Sequence, residues 1–387
     1  MKDTLNIGMV GYKFMGKAHS NGFTQMPLFF EPGVRVIKKA ICGRNEAGVI
    51  EAMEKFGWES YETDYKELAA RKDIDAIDVT APSNYHKPIV LEAIANGKHV
   101  FCEKPLALNL ADAREMLEAA KKAGIKHQIG FNYRFAPAIK LAKKLIDEGR
   151  IGKIYHFRGR YLQDWIINPE FPMVWRLDKS ICGSGTLGDL GAHVIDLAAY
   201  LVGDIAEVTG MSKTFVKKRP IVTEMSGLSG KADADAPMGD VTVDDATVFC
   251  AQFECGALGT FETTRFAAGH KNDMSLEING DKGSIKFEFE RMNELWYCDY
   301  SEEAETQGFK LIQASDECHS YAGAFWPVGH VLGYENTFVA QMYEFAKAIA
   351  HDEDAAPGFD AGVKVAQIMD AVDLSIERRA WVDVKSL

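Results

Sequence analysis

Hydrophobic and polar positions divide the chain into a first third that alternates between two patterns and a remainder dominated by one of them. In the first third, short apolar runs alternate with segments whose apolar residues recur every three or four positions, which predicts strands alternating with helices. The predicted strands are 5–10, 34–42, 76–80, 99–102 and 127–130, and the predicted helices are 47–56, 65–70, 88–95 and 110–123. Short connections between such elements imply an α/β fold with a doubly wound parallel sheet.

After Gly152 the pattern changes to strands with few helices between them. The predicted strands are 154–161, 206–215, 246–253, 258–265, 274–279 and 284–290, and turns rich in glycine join several of them. We therefore expect two domains, 1–130 with the parallel sheet and 131–387 with a large, mostly antiparallel open sheet of the α+β class. Helices are predicted at 137–148, 337–350 and 361–379, and the last two could pack back on the first domain. The acidic segment 229–240 is expected to be a mobile loop.

Composition narrows the classes of partner. A chain of 387 residues with a formal charge of -12 is not expected to bind nucleic acid or an anionic membrane. No apolar run approaches the roughly 20 residues of a membrane span. The start of the chain leads directly into a strand-like run, so no secretory signal is expected. Seven dispersed cysteines without a CxxC pair favour reduced thiols, a cytoplasmic location and no structural metal.

A glycine turn follows the first predicted strand. It reads Gly11-Tyr-Lys13-Phe14-Met15-Gly16 and leads into a helix. A strand, a glycine turn and a helix N-terminus form a site for a pyrophosphate, so Gly11, Lys13, Phe14 and Met15 are predicted to bind a dinucleotide. Lys13 stands where the G-x-G-x-x-G fingerprint has its middle glycine, which weakens the match. The alternative is a tight turn of the kind that any α/β protein contains.

The end of the second predicted strand bears on the choice of cofactor. It carries Gly43, Arg44 and Asn45, without an acidic residue before Glu46. An arginine at this point can bind the 2′-phosphate of NADP, whereas Asn45 or Glu46 could still reach the ribose of NAD. The sequence therefore predicts NAD or NADP and leaves the choice open.

Polar residues follow three further strands of the predicted parallel sheet. Because ligands of such sheets bind at the carboxyl ends of the strands, these residues are candidates for the cofactor site. They are Ala81, Pro82, Asn84, His86, Glu103, Lys104 and Asn132, with Arg134 as a candidate for substrate binding. Lys104 lies between an acid and a proline and could hydrogen-bond a substrate oxygen. The alternative is an exposed loop lysine.

A second glycine-rich stretch, 183–196, predicts a loop that opens into a helix ending near Gly203. One apolar stripe contains Leu190, Val194, Leu197 and Leu201, while Asp189, His193 and Asp196 lie on another face. A carboxylate and an imidazole one turn apart suit proton transfer. A solvated polar face is an equally open alternative. A metal site formed by these three residues is chemically possible, but it leaves the glycine turn and Glu103-Lys104-Pro105 unexplained.

Two tryptophans between strand and helix indicate a sugar pocket. Trp165 follows Asp164, and Trp175 precedes Arg176. Aromatic rings stack on the C–H faces of sugars while polar groups bind hydroxyls, so these four residues are predicted to bind substrate. Core tryptophans or an oligomer contact remain the alternatives.

Taken with their order along the chain, these motifs resemble the Gfo/Idh/MocA oxidoreductase family. The resemblance rests on the turn with Gly16 and His19, on Glu103-Lys104-Pro105, on Asn132-Tyr133-Arg134 and on Asp189-x-x-x-His193. It implies an N-terminal Rossmann domain that binds NAD or NADP and a C-terminal open sheet that carries the substrate and often the oligomer contact. We therefore expect a homo-oligomer, from dimer to hexamer.

The resemblance places Lys104, Asp189 and His193 on the family's catalytic positions. Hydride would pass between nicotinamide and a secondary hydroxyl of a sugar or glycoside, with His193 as general base, Lys104 stabilising the alkoxide, and Asp189 orienting His193 or binding a neighbouring hydroxyl. The tryptophan segments look like those of members acting on glucosides and anhydrosugars, some of which oxidise the C3 hydroxyl. The alternatives are tightly bound NAD used in glycoside cleavage or in hydride exchange between sugars, and a non-enzymatic dinucleotide sensor.

Overall fold

A computed structural model describes residues 3–222 and 236–387. The strands are β1 Thr4–Val10, β2 Arg35–Cys42, β3 Ser60–Glu62, β4 Ala76–Val79, β5 His99–Cys102, β6 His127–Ile129, β7 Ile154–Leu162, β8 Ile205–Lys213, β9 Lys218–Pro220, β10 Met238–Asp240, β11 Ala246–Phe253, β12 Leu258–Thr264, β13 Asp273–Gly280, β14 Gly283–Glu288, β15 Glu294–Asp299, β16 Lys310–Gln313 and β17 Val382–Asp383. The helices are α1 Phe14–Phe29, α2 Glu46–Phe56, α3 Tyr65–Ala70, α4 His86–Ala95, α5 Leu110–Ala123, α6 Pro137–Asp147, α7 Lys179–Cys182, α8 Ala192–Leu201, α9 Ala322–Phe325, α10 Tyr334–His351 and α11 Phe359–Arg378.

The chain forms two compact units, each built from two stretches of sequence. Unit 1 consists of Met1–Phe135 and Gly333–Ala366, and unit 2 consists of Ala136–Leu332 and Gln367–Leu387. The predicted domain boundary after residue 130 therefore lies five residues before the end of the first stretch of unit 1.

Unit 1 is a six-stranded parallel sheet in the order β3-β2-β1-β4-β5-β6. This order places the switch point between β1 and β4, where a doubly wound sheet binds its ligand. The sequence prediction of a Rossmann-type sheet is confirmed. Helix α10 belongs to the same unit: Gln341 donates to the carbonyl of Ile129 over 2.8 Å, and Asn132 donates to Thr337 Oγ1 over 2.8 Å.

Unit 2 is organised on a nine-stranded sheet in the order β16-β15-β14-β13-β7-β12-β11-β8-β17. The paired strands are antiparallel except β7 and β12, so the predicted mostly antiparallel sheet is confirmed. Helix α8 packs on one face, where an added Cβ on Gly159 would lie only 2.4 Å from Val194. That close approach explains a glycine in the middle of β7.

Several strands of the structure were not predicted from the sequence, or end at residues other than the predicted ones. Strands β15 and β16 were not predicted, although Leu295 and Tyr297 are buried and their neighbour Trp296 is exposed, an alternation typical of a half-buried strand. The predicted strand 206–215 ends at Lys213. Of the predicted mobile loop 229–240, residues 229–235 lie outside the described residues, whereas Met238–Asp240 form β10 and pair with β9, so the loop prediction is wrong there.

Candidate functional site

The glycine turn of unit 1 is held closely against β4. Gly11 has φ +110°, and an added Cβ would lie 2.6 Å from Thr80 Oγ1, which itself donates to the carbonyl of Gly11. An added Cβ on Gly16 would lie 2.4 Å from the same carbonyl oxygen. Both positions therefore require glycine, as a turn that must leave its backbone close to a ligand does.

Lys13 does not need the positive φ that favours glycine. It has φ -82° and ψ -143°, so its φ is one that L-residues adopt, while its ψ lies beyond the main β region. Lys13 occupies the N-cap of α1, and its side chain makes no capping hydrogen bond. The first N–H groups of α1, which include those of Phe14 and Met15, are thus available to a phosphate.

The residues that follow β2 form contacts with neighbouring side chains and backbone groups. The Arg44 guanidinium lies 5.0 Å from the centre of the Tyr85 ring and donates to the Tyr85 hydroxyl over 2.9 Å. Asn45 caps α2 by accepting from the Gly48 amide over 2.7 Å. Gly43 leaves room for Tyr12, whose ring would lie 2.2 Å from an added Cβ.

The ends of β4 and β5 carry the other predicted cofactor residues. Ala81 and Pro82 lead into a single turn, Ser83–Tyr85, and Asn84 Oδ1 is buried without a hydrogen-bond partner among the described residues. A buried acceptor without a partner calls for a donor from a ligand or water. Together with the glycine turn and the open N-terminus of α1, it shows that the residues of unit 1 fit a dinucleotide.

Lys104 lies in a turn that is fixed from both sides. Its backbone N–H donates to Glu103 Oε2 over 3.1 Å, and the next residue, Pro105, has its carbonyl oxygen 2.9 Å from His86 Nδ1. The other ring nitrogen of His86 lies 2.9 Å from the carbonyl oxygen of Ala81. Burial lowers the pKa of His86, while the carbonyl acceptors of Ala81 and Pro105 oppose that change. Lys104 itself is only half-exposed, unlike an ordinary loop lysine.

Asn132 and Arg134 belong to a short 3-10 helix, Asn132–Phe135, after β6. Asn132 is buried and its amide nitrogen is used by Thr337. Arg134 is half-buried. Their assignment to cofactor and substrate stays a prediction.

Asp189 and His193 occupy a helix that begins irregularly. Leu187–Gly191 form a π-helical turn that leads directly into regular α-helix at Ala192, so the predicted helix is present and its first turn is irregular. Such turns occur frequently at functional sites because the extra residue changes the direction of the side chains. Leu190, Val194, Leu197 and Leu201 are buried as predicted. His193 and Asp196 are also buried, which excludes the alternative of a solvated polar face.

Asp189 forms an ion pair with a buried arginine that the sequence analysis missed. Arg265 Nη2 lies 2.7 Å from Asp189 Oδ2, with the arginine side chain fully buried and the aspartate 28% exposed. Arg176 contributes a second positive charge: desolvation lowers its pKa, and the charge of Asp189 opposes that change. Arg265 could have been suspected from the sequence, since it follows Phe261 and Thr263 at the inward-facing spacing of β12.

The loop before the π-helical turn is anchored by Asp244. Its carboxylate accepts from the amides of Gly185 and Leu187, over 2.9 and 3.1 Å, and from the hydroxyls of Thr186 and Thr247. Gly185 approaches so closely that an added Cβ would lie 2.1 Å from the Asp244 carbonyl oxygen. Asp244 therefore fixes the backbone from which Asp189 projects.

The predicted sugar-binding tryptophans lie against an apolar cluster of unit 2. Trp165 and Trp175 are partly buried on that cluster, and the guanidinium groups of Arg265 and Arg176 lie 5.5 and 4.3 Å from the respective ring centres. Each ring thus combines a core contact with a cationic neighbour. Asp164, by contrast, is paired with Lys271 over 2.6 Å and accepts from the Gly269 amide, which ties down a turn. Hydrogen bonding to Lys271 lowers the pKa of Asp164.

Among the described residues, no group of His, Cys, Asp and Glu side chains has the arrangement of a metal site. This finding gives no support to the alternative in which Asp189, His193 and Asp196 bind a metal. Of the described helices, none combines the length and the apolar character that a membrane span requires.

The features of the two units define a dinucleotide-dependent oxidoreductase. They are a parallel sheet in this strand order, a turn that only glycine can form, and a second unit with a buried imidazole beside an arginine-paired carboxylate. Models of two protein families match the chain. The oxidoreductase family with an NAD-binding Rossmann fold matches residues 5–131, and the GFO/IDH/MocA C-terminal domain matches residues 139–286. The chain belongs to the Gfo/Idh/MocA family, its cofactor is NAD, and the resemblance seen in the motifs is confirmed.

Named proteins and solved structures are similar to this chain over most or all of its length. Levoglucosan dehydrogenase of Pseudarthrobacter phenanthrenivorans is 40% identical over 99% of both chains. Myo-inositol 2-dehydrogenase of Thermotoga maritima is 31% identical over 73% of this chain and 74% of its own. A crystal structure of levoglucosan dehydrogenase in complex with NADH and levoglucosan has a TM-score of 0.93, with 39% identity over 99% of this chain and 100% of that one. An oxidoreductase domain protein from Kribbella flavida has a TM-score of 0.94 at 46% identity, over 99% and 100% of the two chains.

Proposed function

We propose that this protein is an NAD-dependent dehydrogenase that oxidises a secondary hydroxyl, at C3, of an anhydrosugar or glycoside related to levoglucosan. The observation that carries the proposal is the arrangement around α8, where a buried imidazole follows a carboxylate held by a buried arginine. The likeness to levoglucosan dehydrogenase over the full length of both chains supports the class of substrate. The tryptophans Trp165 and Trp175 fit a substrate with apolar C–H faces.

In this proposal, bound NAD supplies the acceptor for the hydride that leaves the substrate carbon. His193 removes the hydroxyl proton as the carbonyl forms, and Lys104 donates a hydrogen bond to the same oxygen. Asp189 accepts from a neighbouring hydroxyl and thereby orients the ring. Because Arg265 pairs with Asp189, the carboxylate remains ionised and acts as an acceptor rather than as a competing acid.

The unit 1 residues support NAD over NADP. At the end of β2, Arg44 donates to the Tyr85 hydroxyl, and Glu46 places a negative charge two residues later. That charge disfavours the extra phosphate of NADP, and the solved structures of levoglucosan dehydrogenase contain NADH. We therefore expect tighter binding of NADH than of NADPH.

The test is a panel of polyols with NAD, followed by absorbance of NADH and by NMR of the product. The panel contains levoglucosan, 1,5-anhydroglucitol, methyl β-glucoside, glucose and myo-inositol. The proposal expects a 3-keto product with one NADH formed per molecule oxidised, and preference for levoglucosan. Turnover of myo-inositol alone would contradict it.

The same reactions distinguish the alternatives. Protein is also denatured before and after turnover, and the released cofactor is assayed. A cleaved glycoside without accumulated NADH, together with NAD that stays bound through purification, would favour transient oxidation in place of a simple dehydrogenase. Binding of NADH without turnover of any polyol would favour a sensor.

We also propose that the outer face of the nine-stranded sheet joins copies of this chain. Its exposed residues include Met211, Val248, Leu258 and Trp296, which are apolar and lie on the face opposite α8. Light scattering after gel filtration would measure the mass, and Val248→Glu should lower it if this face forms the contact. The seven free thiols are consistent with a reducing, cytoplasmic location.

A further inference from the structure

Three charged side chains form a buried cluster in unit 1 at the ends of β4 and β5. His19 Nδ1 lies 2.9 Å from Asp78 Oδ2, and His19 Nε2 lies 2.9 Å from Glu103 Oε1. The side chains of His19 and Asp78 are fully buried, and that of Glu103 is 5% exposed. The rings of Phe101 and Phe338 pack on His19, with centres 5.2 and 5.5 Å away, and exclude water.

The cluster keeps the imidazole of His19 charged. Burial alone lowers the pKa of His19, but the attraction and hydrogen bonds of Asp78 and Glu103 outweigh it and raise the value to about 10. Both ring nitrogens therefore carry hydrogen and donate to carboxylates at neutral pH. Burial raises the pKa of Asp78, although the charge and hydrogen bond of His19 oppose that change. Among the described residues, Asp78 and Glu103 are the charged groups that face the ring.

Glu103 connects this cluster to Lys104. One of its oxygens accepts from His19, and the other accepts from the Lys104 backbone N–H over 3.1 Å. Gly130 at the end of β6 closes the remaining space, because an added Cβ would lie 2.5 Å from Glu103 Oε1. The carboxylate is thus held between an imidazolium, a backbone amide and a glycine.

We propose that His19 is a positioning residue for Lys104. Its hydrogen bond to Glu103 fixes the turn that carries the lysine. Because His19 belongs to α1, it also connects this turn to the glycine turn at which α1 begins. His19 lies on α1 three residues after Gly16, so a movement of the cofactor-binding turn is transmitted to Lys104. The inference rests on the proposed function in assigning Lys104 to the substrate oxygen. It goes beyond that function in giving a role to a residue that touches neither cofactor nor substrate.

Stability alone does not explain three buried charges. A buried ion pair contributes little compared with apolar residues of similar volume, whereas removing one partner leaves an uncompensated charge. Geometry offers a better reason, since a displacement of about 1 Å at a reacting group can cost roughly 100-fold in rate. A charged ring with two directed hydrogen bonds defines the position of Glu103 more narrowly than an apolar contact would.

The kinetic test is a double-mutant cycle between His19→Gln and Lys104→Ala, with NAD and the best sugar of the panel. His19→Gln should lower kcat about 10- to 100-fold with KM for NAD changed less than about 3-fold. In the Lys104→Ala background it should lower kcat less than about 2-fold, because the group it positions is gone. The control is His127→Gln, which removes a half-buried imidazole of unit 1 that accepts from the Phe359 amide, and it should leave kcat unchanged.

Gly130→Ala provides a second variant that disturbs Glu103 without removing the charge of His19. It should reproduce the loss in kcat, and the combination with His19→Gln should lose little more than either alone. Full kcat in both single variants, or multiplicative losses in the His19→Gln/Lys104→Ala cycle, would overturn the inference.

A measurement without turnover separates this inference from the proposed function. Lysines of the purified protein are reductively methylated with ¹³C, and the Lys104 signal is assigned with Lys104→Arg. The signal should move in His19→Gln and Gly130→Ala but stay in place in His127→Gln. If Lys104→Ala is fully active, the proposed function fails while this result still stands. If the Lys104 signal is identical in all variants, the positioning role is refuted whatever the activity.

Discussion

Arg265 and Asp189 meet over 2.7 Å although they stand 76 residues apart in the chain, one at the end of β12 and the other in the π-helical turn before α8. The pair has a fully buried cation and a carboxylate that is still open to a substrate. The buried guanidinium holds the Asp189 side chain in one rotamer and favours its charged form. The contribution of the pair is therefore geometric as well as electrostatic.

Arg265→Lys should lower kcat/KM for the sugar about 10- to 100-fold while NADH binding stays constant, because lysine keeps the charge but not the planar fork. Steady-state kinetics and fluorescence titration with NADH measure the two quantities. Arg291→Lys is the control, since Arg291 pairs with Glu294 over the same 2.7 Å at an exposed position. Equal kcat/KM in Arg265→Lys and wild type would show that only the charge matters.

His193→Ala should lower kcat about 100- to 10,000-fold, the usual range for a positioned general base, and leave the affinity for NADH intact. The reason is that the proton of the substrate hydroxyl has no other acceptor in the proposed mechanism. The comparison is His330→Ala, at an exposed position of unit 2. A variant without His193 that turns over at the wild-type rate would remove this residue from the reaction.

Gly16→Ala should weaken NADH binding at least about 10-fold, since the added Cβ would lie 2.4 Å from the Gly11 carbonyl oxygen and the backbone has to move. Isothermal titration with NADH measures the effect, and thermal melting checks that the fold is retained. Gly308→Ala is the matched substitution, as nothing lies within 4 Å of its added Cβ. Unchanged affinity in Gly16→Ala would mean that the turn does not touch the cofactor.

Asp244→Asn should reduce the free energy of unfolding of unit 2 by about 1–3 kcal/mol, because an amide cannot accept all the hydrogen bonds that the carboxylate receives. Urea denaturation measures it. Asp240→Asn, whose side chain is 74% exposed, should change the stability little. An Asp244→Asn protein as stable as wild type would show that the loop is held by other contacts.

Stability should depend on alkaline pH through His19. Its folded pKa of about 10 lies above the ordinary histidine value of 6.5, so the stabilisation is complete below about pH 6.5 and is lost as pH rises towards 10. The free energy of unfolding of wild type should therefore fall between pH 7 and 10 more steeply than that of His19→Gln, which is less stable at neutral pH. Parallel curves for the two proteins would contradict a charged His19.

The sequence predicted the parallel sheet because its strands are continuous apolar runs separated by capped helices, as with Asn109 and Gly124 around α5. It also located Asp189 and His193 on one helix. It could not predict the π-helical turn, because the start of that turn is held by Asp244, which lies 57 residues after Leu187 in the chain. The contact between His19, Asp78 and Glu103 was equally hidden. His19 and Glu103 stood out only as parts of separate motifs, and the pairing of β1, β4 and β5 brings the strands beneath them together with Asp78.

The interleaving of the two units determines when each of them can be completed during synthesis. Helix α10, which supplies Thr337 and Gln341 to unit 1, is encoded after nearly all of unit 2. In a nascent chain, the carbonyl of Ile129 and the side-chain amide of Asn132 therefore lack these partners until some two hundred further residues have been synthesised. For the same reason, a fragment ending at residue 135 would lack the helix that covers its own sheet. Truncating the chain at one point therefore cannot produce the complete cofactor-binding unit.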